Sequence, residues 1–350
     1  MIDFYIVKIF FLATIAFVFT FSLTPLLTKF LYKYKLGKQI RNSGDTPIFS
    51  KLHAAKNGTP TMGGILIWVT VLLFSILFYY LSQCVDCGFW KNLNFLSRNQ
   101  TWLPLGALVA SALVGLFDDW LDVRGKGVLG GGGLKIRHRL LIYTIIALVG
   151  AIWFYFKLGW DQFNIPFVGN IHLGWGYIIA FVFVLVATAF SVNETDGLDG
   201  LAGGILLSSF LAYGVISFVN GKYDLAVFCG VIVGALLAFL WFNINPARFY
   251  MGDTGAMSLG ITLGIMAMLT NTPIILIIIG SVFVLESLSV IIQLISKRLR
   301  HGKKVFISSP LHHHLEAIGW PEPKIVMRFW VIGGVSAVIG LIIFLLDRNL

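Results

Sequence analysis

Asp118-Asp119, the stretch 193–200 (NETDGLDG), the stretch 250–255 (YMGDTG) and the stretch 310–316 (PLHHHLE) hold the side chains with which this chain could do chemistry. Carboxylates, glycines and histidines in such a set point to a metal-dependent site, not a pore lining. Asp118 and Asp119 close an apolar run, at a helix C-terminus whose dipole is already negative. A polar end-cap would account for one aspartate there. Two are unfavourable unless a cation offsets them, and magnesium prefers carboxylate oxygens and substrate phosphates. In NETDGLDG, Asp199 could be the N-cap of a helix starting near Gly200, with Gly197 turning the chain. That leaves Asn193 and Asp196 unexplained. A helical turn would stack Asp196 and Asp199 on one face. Glycines beside a helix N-terminus also let backbone N–H groups reach an anion such as a nucleotide diphosphate.

Asp253 in YMGDTG is either an N-cap or a metal ligand, and Tyr250 either an interfacial anchor or a ring that stacks on a base. Asn243, Asn245 and Arg248 lie just upstream. His312, His313 and His314 are consecutive, so on a helix they splay by about 100° each and cannot converge on one metal ion. Two of them could reach a phosphate or leaving group; a polar interfacial loop is the plainer reading. The stretch 56–64 (KNGTPTMGG) reads as a stiff turn entering a helix, with Lys56 available to an anion. The run 125–133 (GKGVLGGGG) lacks the strand and the Gly-Lys-Ser/Thr pattern of a phosphate loop and reads as a flexible connection.

These stretches are set in a chain of 350 residues with 57% hydrophobic and 12% charged side chains, far from the soluble range. Apolar runs of bilayer-crossing length lie near 5–31, 62–81, 101–117, 140–156, 173–191, 199–219, 225–242, 255–270, 273–296 and 327–346. The fold class is therefore an all-α integral membrane protein of about ten spans, forming a single domain over 1–350. No cleavable signal is evident: Asp3 and Lys8 precede a full-length span. Between spans, Lys8, Lys91, Arg98, Lys157, Lys222 and Arg348 fall on one face and the other Lys and Arg residues on the opposite one. The cation-rich face is cytoplasmic. Both termini then lie outside and all four polar stretches inside. The net charge of +10 reflects this asymmetry and anionic headgroups; spread over loops, it argues against a nucleic-acid partner. The outer stretch 163–173 carries a hairpin signal at Gly169-Asn170, and the inner stretch 297–326 an interfacial helix. Glu286 and Gln293, within a span, face the bundle interior. Cys84 and Cys87 form a lone CxxC and Cys229 lies in a span, so the cysteines read as incidental.

Taken together, GTPTMGG, DDWLDV, NETDGLDGLAGG, WFNINPARFYMGDTG, ESLSVIIQ and KKVFISSPLHHHLEAIGW, in this order from about Lys51 to Trp320, resemble the polyprenyl-phosphate N-acetylhexosamine-1-phosphate transferase superfamily. The resemblance implies ten spans with both ends outside, Mg2+ as cofactor, and a homodimer in the inner membrane of a bacterium with its active site facing the cytoplasm. Its nearest branch takes UDP-MurNAc-pentapeptide as donor and undecaprenyl phosphate as acceptor, giving lipid I and UMP. A sister branch uses UDP-GlcNAc. By position, Asp118, Asp119, Asp253, His312 and His313 match catalytic residues. Asp253 matches the magnesium ligand, with Asp118 and Asp119 as further candidates. Lys56, Thr61, Asn193, Asp196, Gly197, Leu198, Asp199 and Asn243 match the nucleotide pocket, joined by His314 and by Tyr250, which stands where Phe is usual. Glu194, Asp122 and the glycines 130–133 depart from the family pattern. A transporter, the reading from another class, would place polar residues at mid-membrane or on both faces.

Overall fold

Within a bilayer every backbone N–H and C=O must be satisfied inside the chain, which leaves helices as the form for these apolar runs. The computed structural model describes residues 2–37, 56, 58–84, 88–98, 100–125 and 133–348. Among them nine helices are long and apolar enough to cross a membrane. They are α1 (Ile2–Lys33), α2 (Ile65–Cys84), α4 (Trp102–Val123), α5 (Ile136–Ile152, continued by a π-turn Trp153–Lys157), α6 (Gly176–Thr195), α7 (Leu201–Val219), α8 (Tyr223–Asn243), α9 (Gly252–Leu269) and α13 (Glu322–Arg348). Short α3 (Gly88–Leu93) and α12 (Leu311–Ala317) lie between them.

The expected ninth span is broken. Pro273 starts α10 (Pro273–Ile279), and after Gly280 the chain turns by 85° into α11 (Ser281–Leu299). A Gly-Ser pair is a recurrent kink site, because neither residue fills the inside of the bend. The third span also differs from its expected end. Helix α4 runs past Asp118 and Asp119 to Val123, so the carboxylates lie inside its last turns and do not close it.

The glycine-rich eighth run, the weakest by hydropathy, forms the centre of the bundle. Its most apolar window is 94% buried, and α9 packs against α4 and α6. Small residues suit this place because helix contacts in lipid depend on close approach.

At one end of the bundle, β1 (Gln162–Ile165) and β2 (Gly169–His172) pair antiparallel with Phe163 opposite Ile171, so the expected hairpin is present, but its turn is at 166–168 and Gly169-Asn170 lies in the second strand. Asn164 Nδ2 donates to Asp347, and Asn271 Nδ2 to Asn170. Lys8 donates to the Asn94 carbonyl at this same end and lies 3.7 Å from Asp224. Cys84 is exposed and Cys229 buried, while Cys87 lies outside the described residues. The four polar stretches are at the other end.

Candidate active site

The site is assembled first by backbone pairing. Tyr250 N donates to Pro60 O, Gly63 N to Tyr250 O and Gly64 N to Met251 O, each at 2.8–2.9 Å. These bonds zip the GTPTMGG stretch to YMGDTG across nearly two hundred residues. Gly252 follows at φ +74°, and a Cβ there would press on Asp119 and Thr61. The turn therefore requires glycine in order to admit a carboxylate.

Asp119 uses that opening. Its Oδ1 accepts from Asp253 N (3.1 Å) and Thr61 Oγ1 (3.2 Å), and its Oδ2 from Thr254 N (3.0 Å). A side chain of α4 thus caps the N-terminus of α9, where free N–H groups and the positive dipole end favour an anion. Gly115, one turn earlier on α4, makes this possible, since any Cβ would strike the backbone of Asp253 and Thr254. Asp253 is accordingly not the N-cap; it lies in the first turn of α9, and its carboxylate turns to other partners.

Arg139 of α5 takes the centre. Its Nε lies 2.7 Å from Asp118 Oδ2, its Nη2 donates to Asp253 Oδ2 (2.8 Å) and its Nη1 to Asn193 Oδ1 (3.1 Å). Asn193 Nδ2 donates in turn to Asp253 Oδ1. Leu134 N donates to Asp118 Oδ1, so the far end of the glycine run is tied to the site, while 126–132 lie outside the described residues. The cation that offsets the Asp pair in this structure is therefore Arg139. Sequence reasoning counted it only among inner-face charges; its place in the basic run 135–139 at a span border was the available signal.

Lys56 builds a second cluster. It donates to Asp199 Oδ1 (2.7 Å) and Glu322 Oε1 (2.5 Å). Asn245 Nδ2 and Ala247 N complete Asp199, and Asp199 N donates to Glu322. Burial pulls the Lys56 ammonium down, but its hydrogen bonds to the two carboxylates outweigh this and hold it above the usual 10.5. Lys56 is thus already paired, and Glu322 is a member the sequence did not reveal. Asp199 is not an N-cap either: Gly200, in left-handed conformation, precedes α7. The segment 196–200 is a turn, so Asp196 and Asp199 do not stack on a helix face; Asp196 is half-buried after α6, and Leu198 is buried. Asn243 is spent on backbone, donating to Phe249 O and accepting from Gly200 N. Half-buried Tyr250 stands beside this cluster, its phenol raised by burial.

The histidines divide. His312 and His313 turn towards Gly197, while His314 accepts from Ile307 N and packs beside Phe306, away from that point. Gln293 is buried as expected, accepting from Val305 N and Phe306 N. Among the described residues no three His, Cys, Asp or Glu side chains form a ready-made metal cage.

Residues 101–271 match the model of glycosyl transferase family 4, and residues 56–67 match the first signature of the phospho-N-acetylmuramoyl-pentapeptide-transferases. A curated protein of the latter name from a Geobacillus species is 41% identical over 334 residues, 94% of this chain and 95% of the relative. One from Anoxybacillus flavithermus is 40% identical, covering 96% and 97%. One from Syntrophus aciditrophicus is 37% identical, covering 94% and 90%.

Proposed function

This chain belongs to the phospho-N-acetylmuramoyl-pentapeptide-transferase family, and from that premise we propose how its residues divide the work. The chain moves phospho-MurNAc-pentapeptide from UDP-MurNAc-pentapeptide to undecaprenyl phosphate, yielding lipid I and UMP. The observation that carries this reading is the convergence of Asp118-Asp119, NETDGLDG and YMGDTG on Arg139 at one end of a membrane bundle. The cation-rich loops favour a cytoplasmic position for that end, where the soluble donor and the headgroup of a lipid acceptor can meet, with both termini outside. An apolar recess between α6, α10 and α11, lined by Phe183, Val184, Ala187, Ile277 and Val284, rises beside Ser191 and suits a polyprenyl tail.

The donor set fits magnesium, which takes one or two carboxylates and leaves its other positions to phosphates and water. Asp253 would hold it, joined by Asp118. Both present oxygens now engaged by a guanidinium, whereas Asp119 is committed to the α9 amides. The bound ion would supply charge neutralisation at the transferring phosphoryl group.

The acceptor is a phosphate monoester with a second pKa of about 6, already mostly a dianion at neutral pH. Its oxygen attacks the phosphorus that bears the sugar, and the bond to the UMP phosphate breaks. Little proton remains to be removed, so alignment and neutralisation by nearby cations dominate. Asp118 and Arg139 position the acceptor headgroup, Tyr250 stacks on the base, and Lys56 exchanges a carboxylate partner for donor phosphate.

Purified protein in detergent, given labelled UDP-MurNAc-pentapeptide and undecaprenyl phosphate, should release UMP only with magnesium present. Equal release from UDP-GlcNAc would assign the chain to the sister reaction, and no release in either case would leave a transporter.

A further inference from the structure

Glu286 takes part in none of the steps above, yet it is a fully buried carboxylate on α11. Such a group persists only if donors satisfy it. Its partners both belong to His312. It accepts from the His312 main-chain N–H at 3.2 Å and faces the ring Nδ1 at 3.0 Å. His312 is itself fully buried, and its Nε2 has no hydrogen-bond partner among the described residues. That nitrogen points at Gly197, where an added Cβ would collide with it. His313 repeats the design, with Nδ1 2.7 Å from Glu316 and Nε2 3.2 Å from the same Cβ position. Two glutamate-backed imidazoles thus face one point of the NETDGLDG turn.

We propose that Glu286 is a positioning residue for the transfer: it holds His312 through Nδ1–H so that Nε2–H meets a phosphate oxygen of the donor diphosphate at Gly197. The carboxylate fixes the ring from behind, and the outer N–H gives its hydrogen bond to the charge that builds as UMP departs. UMP leaves as a phosphate, so it needs stabilised charge and takes no proton from the ring. Orientation of an imidazole by a carboxylate behind it is a general device for fixing which nitrogen faces the chemistry. The inference rests on the transferase reading.

The test is a double-mutant cycle on the full-length protein, scored by UMP release. Glu286→Gln keeps shape and removes charge. It should lower kcat by about 10²-fold, the scale of one preorganised donor, and change KM for the UDP-sugar less than about threefold. His312→Gln should match it, and the double variant should fall no further, because Glu286 acts only through His312. A purely structural carboxylate would reduce folded protein equally in both backgrounds, so multiplying losses overturn the proposal. So does a Glu286→Gln enzyme within threefold of wild type. Should that variant fail to fold, Glu286→Asp, which keeps the buried charge and shortens its reach, enters the same cycle under the same criteria. Wild-type protein that releases no UMP overturns the transferase reading and this inference with it, whereas active wild type with an additive cycle overturns the inference alone.

Discussion

Arg139 and Lys56 each sit between carboxylates drawn from distant parts of the chain, but they leave different charges behind. One guanidinium serves Asp118 and Asp253 with Asp119 adjacent, so three carboxylates face a single cation. Lys56 serves two, Asp199 and Glu322, whose oxygens are also filled by Asn245 and backbone amides. The surplus of negative charge is why the proposed divalent cation is assigned to the first cluster. The second is nearer to satisfied. The side chains differ accordingly: a planar fork fixes three partners at once, whereas an ammonium on a flexible stem can exchange one anion for another. One cluster reads as built to hold a geometry, the other to release a charge.

Asp253→Asn should have the largest effect and would break the comparison most directly. Turnover is expected to fall by about three orders of magnitude, the scale of lost charge neutralisation in phosphoryl transfer. UDP affinity should stay within a few-fold, as measured by binding to the purified variant. Near-normal activity at ordinary magnesium would remove the metal from this cluster.

Arg139→Leu comes next. It strands Asp118 and Asp253, and breaking a buried pair costs about 3–5 kcal/mol. Thermal unfolding in detergent should show a clear drop. Lys56→Ala should instead raise KM for the UDP-sugar by roughly tenfold, about the 1.4 kcal/mol of one exchanged ion pair, with a smaller thermal shift. Equal thermal losses in the two variants would erase the distinction drawn here.

The pH profile separates positioning from base catalysis. Lys56, held above its usual 10.5, keeps its charge at all lower pH and loses it only as pH rises through that raised value. Its contribution is therefore flat across the neutral range. With Asp118→Asn, residual rate should rise with the acceptor's own ionisation near pH 6 and then level off. Full rescue at high pH would make Asp118 the obligatory base.

The smaller effects concern packing and stacking. Gly115→Ala drives a methyl into the α9 backbone and should cost about 1–3 kcal/mol, read as a lower melting temperature with reduced activity. Tyr250→Phe keeps the ring, and activity within threefold is the outcome consistent with stacking.

The spans were legible because lipid imposes length and apolarity on each of them, and the hairpin as two short apolar strands, although Gly169-Asn170 begins its second strand and does not form its turn. The Asp pair, Asp253 and Asn193 stood out as polar residues at span ends. Partner choice was not legible. Nothing local tells that Asp119 caps a helix beginning at Gly252, or that Glu322 closes on Lys56, because such pairs depend on which spans become neighbours. The sharp turn at Gly280 was hidden for another reason: hydropathy runs through it unbroken, and what favours the bend is local, a close approach in which an added Cβ would meet the Leu276 carbonyl at 3.0 Å.

Asp119 also sets a timetable. Its caps lie 134 and 135 residues downstream. At about 5–20 residues per second of synthesis, roughly 7 to 27 s pass before the ribosome has made Asp253 and Thr254. Throughout that interval Asp119 of the newborn third span lacks the two amides that hold it, so the inner end of the span must ride at the headgroup level. Arrival of the eighth segment then draws that carboxylate into protein. The reaction centre is thus a late product of biogenesis, completed when two segments made seconds apart dock, and a chain interrupted before Thr254 would be inserted yet lack it.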